Sequence, residues 1–141
     1  MPPDATELAL RALRHRNRSR SDVERRLDRA GIAPDERELT LDRLTEAGLL
    51  SDDRFAEERA QALAKRGAGD ALIRRDLGRD GVGHGAVEHA VAQLEPEADR
   101  ATRIFDRRGG GSAALRYLAG RGFAADSLER LGGRDSPDAV E

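Results

Sequence analysis

Cysteine is absent from the 141 residues, which excludes disulfide staples, thiolate metal sites and thiol catalysis, and suits a reducing compartment. Tryptophan is absent too. Aromatic residues make up 3% of the chain, so a core here must be built from Leu, Ala, Val and Ile. Such a core is thin, because burying a Leu or Val is worth about 1.5–3 kcal/mol and an Ala contributes much less. Marginal stability, or stabilisation by a partner, is the expectation. An excess of charge of one sign is also missing: 25 basic residues stand against 27 acidic ones, for a net charge of -2 and a pI near 6.0. This balance removes the self-repulsion that expands disordered chains and argues against a protein that grips DNA by bulk positive charge. No window approaches the roughly 18–20 apolar residues of a membrane span, and the first turns of the chain hold no apolar run of signal-peptide length. A soluble, cytoplasmic protein without membrane contact is expected. The length suits one compact domain or a few small helical modules, and excludes two large domains.

What is present is helical periodicity almost throughout. Ala5, Leu8, Ala9, Ala12 and Leu13 fall at i, i+3, i+4, i+7 and i+8, and Val87, Ala90, Val91 and Leu94 repeat the opening of that pattern. Pro34 and Pro96 sit where helices should begin, and Gly31, Gly48, Gly67, Gly81 and Gly122 where they should end. About nine short helices are predicted.

Their punctuation recurs. Leu27-x3-Gly31-Ile32, Leu77-x3-Gly81-Val82 and Leu118-x3-Gly122-Phe123 are one phrase, spaced 50 and then 41 residues apart. Fourteen residues before each Leu stand Leu13, Leu63 and Ile104; eleven before, Arg16, Arg66 and Arg107; two before, Arg25, Arg75 and Arg116. Register of this kind across three copies is the signature of a helical repeat. Each unit reads as helix, helix, glycine turn, helix, with the glycine left-handed and the apolar residue after it packed back on the helix it ends. The predicted fold class is all-α, an elongated row of tandem three-helix repeats over residues 1–48, 49–95 and a short 96–132, with a disordered tail over 133–141.

Residues 48–60, GLLSDDRFAEERA, form the predicted joint between the first two copies. Gly48 closes one helix, Leu49 and Leu50 bury the junction, Ser51 with Asp52 and Asp53 caps the next helix and complements its dipole, and Phe55 enters the seam. This stretch, preceded by RSRSDVERRLDRAGI and followed by KRGAGDALIRRDLGRDGV, resembles the RecX family of bacterial regulatory proteins. Its Leu-Leu, acidic pair, Arg-Phe-Ala phrase is matched here by Leu49, Leu50, Asp52, Asp53, Arg54, Phe55 and Ala56. A Ser-led basic helix is matched by Ser19 to Leu27, and an Arg-Gly-x-Gly phrase by Arg66 to Gly69. Arg37 departs from the family, standing where an apolar residue is usual. The resemblance implies a non-enzymatic protein that binds the RecA filament on single-stranded DNA and restrains it, within DNA repair and the SOS response; a monomer with no cofactor, metal or small-molecule substrate is a separate expectation.

The residues themselves offer a candidate surface. The Arg two before the repeat Leu lies about 200° around the helix from it, so Arg25, Arg75 and Arg116 should face away from their own core and present a row of partner-contacting charges. Arg16, Arg66 and Arg107 come second, since a cation in the last turn of a helix also offsets its carbonyl dipole. Arg18, Arg20 and Arg74 complete the candidates. Charge is blocked along the chain: residues 11–20 hold five Arg and no acid, 35–58 hold nine acids against three Arg, and 100–121 hold six Arg against Asp106. Segregation of this kind creates local fields without net charge and suits a partner that offers both signs. Weak nonspecific DNA contact through Arg11 to Arg20 is a further expectation.

The main alternative is a tandem DNA reader, because the L-x3-G phrase also resembles the turn of a helix-turn-helix. There the following helix would meet phosphates with Asp35, Glu36 and Glu38, which repel them. The loose G-x-G-x-x-A of RDGVGHGA lacks the preceding strand that a dinucleotide fingerprint needs. His84 and His89 lie about 140° apart on a helix and cannot share a metal as an i, i+4 pair would. Asp52 and Asp53 read as an exposed cap and not as an acid and base pair.

Overall fold

A computed structural model describes residues 4–134, in which short turns and loops link α-helices, with no strand among the described residues. Among the described residues nine helices run in chain order: α1 (Ala5–Leu13), α2 (Arg20–Arg29), α3 (Pro34–Glu46), α4 (Asp52–Lys65), α5 (Asp70–Arg79), α6 (His84–Ala92), α7 (Glu97–Arg107), α8 (Gly111–Gly120) and α9 (Ala125–Arg134). The tail expected over 133–141 lies, but for its first two residues, outside the described residues.

The repeated phrase is the device that ends each middle helix. Gly31, Gly81 and Gly122 take φ of 84°, 78° and 88°. In that left-handed conformation the next residue turns back, so that Ile32, Val82 and Phe123 donate their N–H to the carbonyls of Leu27, Leu77 and Leu118 at 3.1, 3.1 and 3.2 Å. The same three leucines are wholly buried, and the residues after the glycines cover them. Gly48 and Gly67 do the same work for α3 and α4, with φ of 75° and 87°. Pro34 opens α3 at the first helical position, where its missing N–H costs nothing.

The helices pack in threes: α1, α2 and α3 on one another, then α4, α5 and α6, then α7, α8 and α9. Each trio encloses its own core. The first holds no aromatic residue and runs from Ala5 to Leu50; the second contains Phe55, and the third Phe105 and Phe123. Leu50 belongs to the first core, so that packing reaches two residues past the expected division at 48. The last spacing is shorter than the first because α6 has 9 residues where α3 has 13, and α7 has 11 where α4 has 14.

The trios join through their middle helices, end against end. At the second joint the first N–H groups of α5, which have no partner inside their own helix, donate to the last turn of α8: Gly69 to the Arg121 carbonyl at 2.7 Å and Ala71 to the Gly122 carbonyl at 3.2 Å. At the first joint Gly81, just past α5, abuts Ser21 in the first turn of α2 so closely that a Cβ on the glycine would lie 2.1 Å from the Ser21 hydroxyl. Thus α8, α5 and α2 follow one another head to tail, and the molecule is an elongated row of three units.

Candidate partner-binding surface

The joint phrase does more than cap a helix. Ser51 caps α4 by accepting from the Arg54 N–H at 3.2 Å, as its sequence suggests. Asp52 reaches back across the joint, its Oδ1 accepting from the Arg20 N–H at 2.8 Å, while the Arg54 guanidinium donates to the Gly48 carbonyl at 2.6 Å. Phe55 is buried and lines a crevice of about 260 Å³ with Arg16, Arg18, Asp22, Arg59 and Asp80, so it does lie in the seam. Leu49 corrects the expectation. It is 50% exposed while Leu50 is 2% exposed, because both of their N–H groups turn back on the Leu44 carbonyl and the tight turn directs only the second side chain inward.

The nine candidate arginines divide by what surrounds them. Arg25, Arg75 and Arg116 are exposed at equivalent places on α2, α5 and α8. Arg25 has the Asp22 carboxylate 3.7 Å away, and among the described residues Arg75 and Arg116 have no carboxylate partner. Arg16, Arg66 and Arg107 are exposed too, but their settings differ: Arg107 ends α7, Arg66 caps α4, and Arg16 lies three residues past the end of α1. Only for the last two copies does the dipole account hold. Arg18, Arg20 and Arg74 are engaged by the chain itself. Arg18 donates to the Ala12 carbonyl and to Asp22, Arg20 to Glu38 and Asp42 on α3, and Arg74 to Glu88 on α6.

These pairings set the local electrostatics. Burial opposes the charge on Asp22, yet hydrogen bonds from Arg26 and Arg18 outweigh it and hold the carboxyl below its usual range. Across the crevice, burial pushes Asp80 up, reinforced by Asp76 and opposed by Arg59 and Arg25. The hydrogen bond from Arg74 lowers the Glu88 carboxyl, and the same bond raises Arg74.

Two features escape the repeat argument. Arg100 is 5% exposed, with its guanidinium donating to Asp70, to the Ala68 carbonyl and to the Glu95 carbonyl, so it rivets α7 to the start of α5. A sequence signal did exist: Arg59 stands at the same place in the second copy and pairs with Asp76 of α5 at 3.0 Å. The second feature is a cleft of about 550 Å³ between the second and third units, where Lys65, Arg66, Arg103, Arg107 and Arg108 converge. His84 and His89 are exposed, the latter 3.1 Å from Glu57, and no cluster of three or more metal-ligating side chains occurs among the described residues. No helix among them is long and apolar enough to cross a membrane.

No family model matches the chain. It is 33% identical over 148 residues to the regulatory protein RecX of Pseudomonas putida (strain W619), covering 97% of this chain and 95% of that one. The regulatory protein RecX of Stenotrophomonas maltophilia (strain K279a) is 35% identical over 124 residues, covering 88% and 76%. The fold is that of the crystal structure of RecX from Lactobacillus salivarius, with a TM-score of 0.80 at 20% identity over 92% of this chain and 93% of that one. A second crystal structure of regulatory protein RecX gives 0.77 at 22% identity over 92% and 71%. With the repeat phrase, the end-to-end middle helices and near-full-length identity in agreement, the chain belongs to the RecX family of regulatory proteins.

Proposed function

We propose that the chain acts without catalysis, as a cytoplasmic monomer that binds the RecA filament on single-stranded DNA and restrains its recombinase, ATPase and coprotease activities in DNA repair and the SOS response. The observation that carries this reading is the head-to-tail order of α2, α5 and α8, which offers the exposed Arg25, Arg75 and Arg116 once per unit. A filament repeats its own acidic groups along an axis, and a row of guanidinium forks can meet them in register with charge-assisted hydrogen bonds. Arg16, Arg66 and Arg107, exposed as well, are the secondary contacts in this reading. The leucine-and-acid joint, through Asp52 and Arg54, fixes the relation between units on which that register depends.

The rival reading, a helix entering the major groove, meets an obstacle in α3. Its first turn carries Asp35 and Glu36, both exposed.

Reversing all three arginines, as R25E/R75E/R116E, should weaken inhibition of RecA ATP hydrolysis on single-stranded DNA at least tenfold while circular dichroism shows unchanged helix content. Full inhibition by that variant would remove the proposed surface.

A further inference from the structure

The cleft between the second and third units holds more positive charge than the fold requires. Its floor is apolar, formed by Leu94, Ile104 and the Tyr117 ring. Around the floor stand the cations already named, and Arg103 and Arg107, one turn apart, share a face of α7. Glu95 is the one carboxylate among the lining residues, and it is paired with Arg103. No carboxylate among the described residues pairs with Lys65, Arg66 or Arg107.

Cations at the ends of α4 and α7 offset the carbonyl dipoles of those helices, each worth about 0.3–1 kcal/mol. That accounts for a cation at each helix end. It does not account for two such ends converging on one cleft whose single lining carboxylate is taken by Arg103, where the remaining like charges in a partly enclosed space repel. An anion in the cleft would relieve that repulsion.

We propose that this cleft is a binding site for single-stranded nucleic acid, its phosphodiester groups held by Lys65, Arg66 and Arg107 and a base or sugar resting on the apolar floor. The chemistry favours a strand over an acidic peptide for two reasons. Arginine forks match phosphate oxygens in pairs. Tyr117 already carries the Arg108 guanidinium 3.6 Å above its ring, a stacked plane of the kind on which bases lie. The volume, about 550 Å³, suits one or two nucleotides. Arg11 to Arg20, the segment first expected to touch DNA, is less suited, because Arg11, Arg18 and Arg20 are paired with Glu7, Asp22 and Glu38.

Binding of a strand in the cleft requires no RecA, although Arg66 and Arg107 are also secondary filament contacts in the reading above, so it is tested without RecA, by fluorescence anisotropy of a labelled oligothymidylate titrated with the full chain across a range of salt. K65Q/R66Q/R107Q should weaken binding about tenfold or more and reduce the salt slope by about 2, at about 0.7 per phosphate contact for a single strand. R29Q/R43Q/R79Q removes three exposed helix-end arginines outside the cleft and should leave affinity near that of the parent. Circular dichroism checks that both variants are folded. Equal losses in the two variants would reduce binding to general charge and overturn the proposal. So would displacement of the oligonucleotide by polyglutamate of equal charge more readily than by unlabelled oligothymidylate, which would assign the cleft to an acidic peptide. Filament inhibition, measured separately, can fail while this site holds, and the reverse.

Discussion

Two carboxylates that face the same crevice respond to pH with opposite sign. Asp22 lies below its ordinary value of 3.8, so its contribution to stability is present above that value and is lost as pH falls through the lower, folded value. Asp80 lies above 3.8, so the folded chain holds that proton more firmly than the unfolded one. Its penalty appears as pH rises through the window between the ordinary and the raised value, and is complete above it. Asp80 also caps the C-terminus of α5, where negative charge opposes the helix dipole. D80N should therefore melt at a higher temperature than the parent at pH 7, and D22N at a lower one. The D80N difference should shrink as pH falls through the raised value toward 3.8, whereas the D22N difference should shrink only as pH falls below 3.8. A gain in D80N that stays constant from pH 3 to 7 would assign it to packing and not to charge. None of this is legible in the sequence, which shows an Asp after Ser21 and another before Gly81 but not that α2 and α5 meet end to end.

At the scale of the element, glycines with similar places in the pattern carry different burdens. Spacing alone identifies Gly31 and Gly81 as helix terminators, and both take positive φ. Gly31 has open space where a Cβ would go, so G31A meets only the conformational cost, about 1 kcal/mol. Gly81 adds the contact with Ser21, so G81A should cost more, and G81V more again. Gly69 inverts the case. Its φ of -82° suits any residue, yet a Cβ there would come within 2.4–2.5 Å of the backbone of Gly122 and Phe123. G69A should thus destabilise by more than G31A despite an unstrained backbone, because neither side of the contact is a flexible side chain. Chemical denaturation of the three alanine variants checks the order, and a G69A no worse than G31A would mean that the second joint is loose. Legibility ends here in a physical sense. A terminating glycine announces itself through local chain chemistry, whereas a packing glycine depends on a surface fifty residues away.

For the whole molecule, three small cores in a row behave as coupled neighbours, and the coupling sits in the joints. The thin core expected from composition is what the fold shows: the first unit buries Ala5 and Ala9 on α1, and aromatic rings enter only the second and third cores. The charge blocks were visible in the sequence, but their meaning was not, since Arg20 and the acids of α3 satisfy each other while the basic third block opens on a cleft. Arg100 is the main rivet of the second joint, with a guanidinium satisfied by one carboxylate and two carbonyls. Replacing it with Leu leaves Asp70 and the Ala68 carbonyl without that partner, and breaking such a buried pair costs about 3–5 kcal/mol. If the units are coupled only through their joints, that loss falls on the third unit first. Hydrogen exchange of R100L should then show amides of α7, α8 and α9 exchanging through a partial opening that leaves α4 to α6 protected. Equal acceleration in all nine helices would instead show that the row unfolds as one cooperative body, and that the register of Arg25, Arg75 and Arg116 is held by the whole chain and not joint by joint.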